Sequence, residues 1–153
     1  MLGEGLYSSK RLVYDPPMSY RSVFRPGLFA GQTIIVTGAG SGIGRCCAHE
    51  LAALGAHVVL LGRSAARLQA VEAEIRADGG AASHAACDIR DEDAVKTVVA
   101  AIVAERGVIH GLVNNAGGQF PSPLEDISGK GWQAVLATNL TGGFLMAREC
   151  HAQ

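Results

Sequence analysis

The sequence predicts an α/β fold, a parallel sheet covered by helices on both faces, and three observations carry that expectation. Short apolar, β-branched runs alternate with longer stretches of helical periodicity from Thr33 onward. Glycines fall at the joints between them. A turn especially rich in glycine separates the first strand from the first helix. The resulting order, β-α-β-α-β-α-β-α, demands crossover connections and hence parallel strands.

Each element has its own justification. Thr33 to Thr37 (TIIVT) is a β-branched run and reads as a buried strand. Ile43, Cys47, Leu51 and Leu54 recur at helical spacing, and Gly55 ends that helix. His57 to Leu61 is the second strand. Ser64 is placed to cap a helix with Leu68, Val71 and Ile75 on its apolar face, and Gly79-Gly80 stop it. Ala81 to Asp88 is a weaker third strand. Asp91 caps the next helix, where Val95, Val98, Val99 and Ile102 form one stripe ahead of Gly107. Val108 to Asn114 contains the fourth strand, and a loop with two prolines runs to about Gly131. The last helix begins near Trp132 and carries an apolar stripe of Trp132, Val135 and Leu136, continued by Asn139. The pattern stops inside that helix at Gln153, so the expectation is a fragment: residues 1–30 a leader and irregular arm, residues 31–153 a truncated α/β domain. Pro16-Pro17 blocks regular structure in the leader, and Met18 is an alternative start. Tyr20, Phe24 and Phe29 are placed to dock the arm.

Composition excludes several classes. The 153 residues suffice for one domain with a core, and a net charge of −1 argues against nucleic acid or an acidic membrane as partner. No apolar stretch is long enough to span a bilayer. The histidines show no ligand spacing, so no metal site is expected. Cys46, Cys47, Cys87 and Cys150 form no C-x-x-C pair and read as buried or half-buried thiols in a reducing compartment.

The chemistry-bearing signals lie at the strand ends. Thr37-Gly38-Ala39-Gly40-Ser41-Gly42-Ile43-Gly44 follows a strand and opens a helix, the context a dinucleotide pyrophosphate requires. The bare alternative is a glycine turn without ligand. At the end of the second strand, where an acid would hold a ribose, stand Gly62, Arg63 and Ser64. Arg63 suits a 2′-phosphate, with the Ser64 hydroxyl beside it, and this favours NADP(H) over NAD; a solvated arginine is the alternative. Asp88 either meets an adenine or serves only the turn before Asp91. Asn114-Asn115-Ala116-Gly117-Gly118 lies at the carboxyl edge of the sheet, and a tight turn explains it equally. Asn139 on an apolar stripe needs partners, structural or functional, and Gly142-Gly143 point to a close approach or a helix break.

Together these motifs resemble the short-chain dehydrogenase/reductase family: Thr37-Gly38-x-x-x-Gly42-Ile43-Gly44, Asp88-Ile89, Asn114-Asn115-Ala116-Gly117 and Asn139, in order and suitably spaced. The resemblance implies a Rossmann-type doubly wound sheet, here its N-terminal part. It implies that the glycine turn, with Ser41, holds the pyrophosphate, that Asp88 and Ile89 meet adenine, and that Asn115, Ala116 and Gly117 line the cofactor. Asn139 corresponds to the family's catalytic-site asparagine, which supports a proton-relay water through a lysine. The family's serine and its Tyr-x-x-x-Lys pair have no counterpart here, since Tyr7, Tyr14 and Tyr20 precede the glycine turn. The loop and last helix, from Gly117-Gly118-Gln119-Phe120 to Thr138-Asn139-Leu140-Thr141-Gly142, are similar to the peroxisomal trans-2-enoyl-CoA reductase branch and its bacterial relatives, some of them citronellol dehydrogenases. That likeness ranks NADPH-dependent reduction of the double bond of a trans-2-enoyl-CoA thioester first and oxidation of a terpenoid or other apolar alcohol second. It further implies a small-molecule substrate, a homo-oligomer, and the cytoplasm of a bacterium, or the peroxisome in a eukaryote. A non-catalytic nucleotide-binding module is the reading of another class.

Overall fold

The computed structural model describes residues 22–153. The expected leader, with Tyr20 and Arg21 of the arm, lies outside the described residues. Strands β1 (Thr33–Thr37), β2 (His57–Gly62), β3 (Ala81–Ala86) and β4 (Gly111–Val113) form one parallel sheet in the order β3-β2-β1-β4. Thr33 lies opposite His57, His57 opposite Ala81, and Ile34 opposite Gly111. The helices are α1 (Gly42–Ala53), α2 (Ala65–Ala77), α3 (Glu92–Arg106), α4 (Gly129–Leu136) and α5 (Gly142–His151).

Strand alternation sorts the core into two layers. Ile34, Val36, Val58 and Leu60 face α1 and α2, packing on Ala48, Ala52, Leu68, Val71 and Ile75. Ile35, Val59 and Leu61 face α3 and α5, packing on Val95, Val99, Ile102, Leu145 and Met146. Helices therefore cover both faces, as the doubly wound expectation requires. Gly55, Gly79 and Gly107 end α1, α2 and α3 with positive φ. The nearly buried Glu72 carboxylate is paired with Arg76 and His84, so the charge does not stand alone. Among the described residues no helix is long and apolar enough to cross a membrane.

Several local expectations need correction. Ile43 is 77% exposed, and α1 meets the sheet through the small residues Gly44, Ala48 and Ala52, with Cys47 and Leu51 beside them. A small-residue face lets the helix approach the strands closely, which a search for bulky residues overlooks. The third strand ends at Ala86, before Asp88. The last helical stretch starts at Gly129, because the Ser128 hydroxyl accepts a bond from Gly131 N–H at 3.0 Å and caps it there. Its stripe is not buried: Trp132 is 53% exposed, Val135 and Leu136 are half-buried, and Asn139 is exposed. Cys46 is also exposed, while its neighbour Cys47 packs on the core. Phe29 docks the arm, its N–H donating to Leu54 O at 2.9 Å, whereas Phe24 is exposed.

Candidate functional site

Parallel strands deliver their C-terminal loops to one edge of a sheet, and here those loops enclose a cleft of about 410 Å³. The turn after β1 supplies Gly38, Gly40 and Ser41. The segment after β2 supplies Gly62, Arg63 and Ser64, then Arg67 and Leu68 from the first turn of α2. Residues 87–90 follow β3, residues 115–118 follow β4, and Thr138 completes the wall.

The floor is held by a clamp between β1 and β4. The buried Thr37 hydroxyl accepts from the N–H groups of Asn115 and Ala116, both at 3.0 Å, and donates to Val113 O at 3.3 Å. The Asn115 amide returns a bond to Thr37 O at 2.9 Å. A Cβ on Gly44 would overlap that amide and come within 2.5 Å of Gly38 O, so only glycine lets α1 start this close to the clamp.

Helix capping separates the cleft from the rest of the surface. Asp91 and Ser128 cap α3 and α4 with side-chain bonds to Ala94 N–H and Gly131 N–H. Ser41 and Ser64 occupy the N-cap positions of α1 and α2 but make no such bond, which corrects the expectation that Ser64 caps α2 through its side chain. Both of these serines line the cleft. Among the described residues no side chain caps the first-turn N–H groups there, which stand at the positive ends of two helix dipoles.

Charge points the same way. Arg63, Arg67 and Arg90 line the cleft with one carboxylate, Asp88. The Arg90 fork on Asp88 holds that carboxyl down at about 2, helped by its bond from Arg90 N–H and by the charge of Arg63. Among the described residues Arg63 and Arg67 make no ion pair. Burial pushes the Cys87 thiol up, so it stands in the wall as a neutral group.

Asn139 lies in a loosely wound π-helical segment, Ala137–Thr141, that joins α4 to α5, a distortion frequent at functional sites. Its amide donates to Gly118 O at 2.8 Å and Val135 O at 2.9 Å and accepts from Gly118 N–H at 3.1 Å. The partners expected for this amide are therefore backbone groups, Gly118 of the cleft wall and Val135 one turn back along its own helical stretch. Gly142 answers to a close approach: a Cβ there would lie 2.7 Å from the Ile89 side chain. Gly143 O accepts from Asn114 Nδ2 at 3.0 Å.

Comparison with known proteins now decides the family. Residues 32–153 match the short chain dehydrogenase family model. The chain belongs to the short-chain dehydrogenase family. A solved structure of the citronellol catabolism dehydrogenase AtuB of Pseudomonas aeruginosa PAO1 is 69% identical, with TM-score 0.84, over 88% of this chain and 55% of that one. A metagenomic short-chain oxidoreductase solved in complex with NADP is 42% identical, with TM-score 0.77, over 81% of this chain and 57% of that one. Gluconate 5-dehydrogenase of Gluconobacter oxydans (strain 621H) is 43% identical over 80% of this chain and 49% of its own length. The chain thus spans about half the length of the relatives it matches.

Family members bind NAD(P), and the cleft passes a test of fit for that group. Its volume lies in the range of small-molecule sites, and the uncapped N–H groups together with Arg63 and Arg67, which pair with no carboxylate among the described residues, are a donor set for phosphates. Of the expected site residues, the fold brings Gly38, Ser41, Arg63, Ser64, Asp88, Ile89, Asn115, Ala116 and Gly117 into the cleft wall. Thr37 and Gly44 stand behind it, Asn139 braces it through Gly118, and Gly42 and the Ile43 side chain are not part of it. Arg67, Arg90 and Thr138 were missed by sequence reasoning. Arg67 carried a usable signal, lying one helical turn beyond Arg63.

Proposed function

We propose that this chain forms the cofactor-binding half of an NADP(H)-dependent oxidoreductase acting on a small apolar alcohol. One observation carries the cofactor choice: β2 ends at Gly62 and is followed by Arg63 and Ser64, with no carboxylate there to meet a ribose, and Ser64 stands at the N-cap of α2 with its hydroxyl making no cap bond. Arg63 and Ser64 would hold a 2′-phosphate, the uncapped start of α1 the pyrophosphate, Asp88 and Ile89 the adenine, and residues 115–117 the nicotinamide half. When bound, the cofactor supplies a hydride acceptor or donor. This chain's residues orient it and neutralise its phosphates. Asn139 holds the Gly117-Gly118 turn in place, and we assign it the role of the family's site asparagine.

For the substrate, 69% identity with a protein named for citronellol catabolism supports a terpenoid alcohol. We therefore rank alcohol oxidation first, reversing the order drawn from the loop alone. The resemblance of residues 117–142 to the enoyl-CoA reductase branch supports a trans-2-enoyl thioester as second reading. A small-molecule substrate and a homo-oligomer complete the proposal. The test uses the complete protein, following NADP reduction with citronellol against NADPH loss with crotonyl- or decenoyl-CoA. Activity with the thioester alone would restore the other order. Arg63→Ala is expected to weaken NADPH binding by roughly 1–3 kcal/mol and leave NADH nearly unchanged. Equal losses for both cofactors would overturn the NADP(H) assignment.

A further inference from the structure

We propose that Arg90 is a positioning residue for adenine recognition, locking the Asp88 carboxylate in the orientation that accepts the exocyclic amino group of the base. The proposal rests on reading the cleft as a dinucleotide site.

Asp88 and Arg90 both line the cleft and face each other across the turn that follows β3. Asp88 Oδ1 accepts from Arg90 N–H at 3.1 Å and from Nε at 2.9 Å. Oδ2 accepts from Nε at 3.2 Å and from Nη2 at 2.5 Å. A fork on both oxygens, reinforced by a backbone donor, removes the rotation that a lone aspartate retains. A carboxylate has about four acceptor sites, and the four contacts come from only three donors, Nε being shared between the two oxygens, so the clamp leaves capacity for one donor on the ligand. An ionised carboxylate accepts only. It rewards an amino group on the base and opposes a carbonyl oxygen in the same place.

The remaining guanidiniums show why Arg90 is not simply a third phosphate ligand. Its fork is committed to Asp88, and the pair is close to neutral. Arg63 and Arg67 have no carboxylate partner among the described residues, and Arg67 rises beside Gly40 of the glycine turn. The cleft thus divides into a cationic part for phosphates and a clamped acceptor for the base.

Dissociation constants of the complete protein for NADPH, NADH and the hypoxanthine counterpart of NADPH test this, with wild type, Arg90→Ala and Arg90→Met. Hypoxanthine carries a carbonyl where adenine carries its amino group. Wild type should prefer NADPH to the hypoxanthine form by roughly tenfold or more. Both variants should reduce that preference to about threefold or less while the NADPH/NADH ratio stays unchanged. Because each readout is a ratio measured on folded protein, partial loss of folded material does not imitate the effect. An unchanged base preference, an equal loss for both bases, or a loss confined to the 2′-phosphorylated dinucleotides would each overturn the role. A wild type that binds both bases equally would remove Asp88 as the reader of the base, and the proposal with it. Failure of wild type to bind any of the dinucleotides would instead overturn the reading of the cleft.

Discussion

Replacing Thr37 by valine tests the clamp that sets the floor of the cleft. The side chain is 0% exposed, and valine copies its shape while exchanging the hydroxyl for a methyl. Three bonds go: those from Asn115 N–H and Ala116 N–H, each 3.0 Å, and the one to Val113 O, 3.3 Å. They are not equivalent. Asn115 N–H keeps a second acceptor, Val113 O at 3.0 Å, whereas Ala116 N–H has no other acceptor among the described residues. One orphaned donor costs about 1–3 kcal/mol, and the two lesser losses bring the expected total to about 2–4 kcal/mol. That is a large share of the roughly 5–15 kcal/mol by which domains are stable. Thr37→Ser keeps the hydroxyl and deletes one methyl, for about 1 kcal/mol. Urea unfolding followed by far-ultraviolet circular dichroism compares the three proteins. Asn115 and Ala116 line the cleft, so NADPH affinity should fall more in Thr37→Val than in Thr37→Ser. A Thr37→Val protein within about 1 kcal/mol of wild type, or a Thr37→Ser protein just as unstable, would refute the clamp.

Two further expectations concern packing and acid stability. Gly142→Ala should destabilise by about 1–3 kcal/mol despite alanine's better helix propensity. Its Cβ would meet Ile89 Cδ1 and Cγ1 at 2.7 Å and Ile89 O at 3.1 Å. Adding Ile89→Val, which deletes Cδ1, should recover part of the loss in a double-mutant cycle, and a Gly142→Ala protein as stable as wild type would contradict the close approach. For Asp88, the folded carboxyl near 2 lies below the roughly 3.9 of an unfolded chain, so its stabilisation is present above about pH 4 and lost as pH falls through the folded value. The side chain is 34% exposed, so solvent screening reduces the effect. Arg90→Ala should lose less stability than wild type between about pH 5 and pH 2 in denaturant titrations, and parallel losses would sink the argument.

Element order and the position of the cleft were legible because they depend on local rules. β-branched runs such as Thr33 to Thr37 favour strands, the stripe from Val95 to Ile102 needs a sheet to cover it, and glycines 55, 79 and 107 stop helices through positive φ. Parallel strands then carry the glycine turn, Arg63, Asp88 and Asn115 to a common edge without further information. The errors arose where a local rule had two solutions. Ile43 fitted the helical spacing as well as Gly44 did, and only the distance between α1 and the sheet selects the smaller residue.

By itself, then, the sequence determined the alternation of elements, the glycine turn and the cation at the end of β2, all written within a few residues of one another. Tertiary structure alone decided which groups meet. Asn139 is bonded to Gly118, 21 positions away, and Thr37 to Asn115, 78 positions away. The Asp88–Arg90 pair is close in sequence, yet only the turn after β3 aims it into the cleft beside Arg63 and Arg67. A hydrogen bond depends on distance and angle to tenths of an ångström, and residue order sets neither across a crossover connection; the packing of both helical layers on the sheet does.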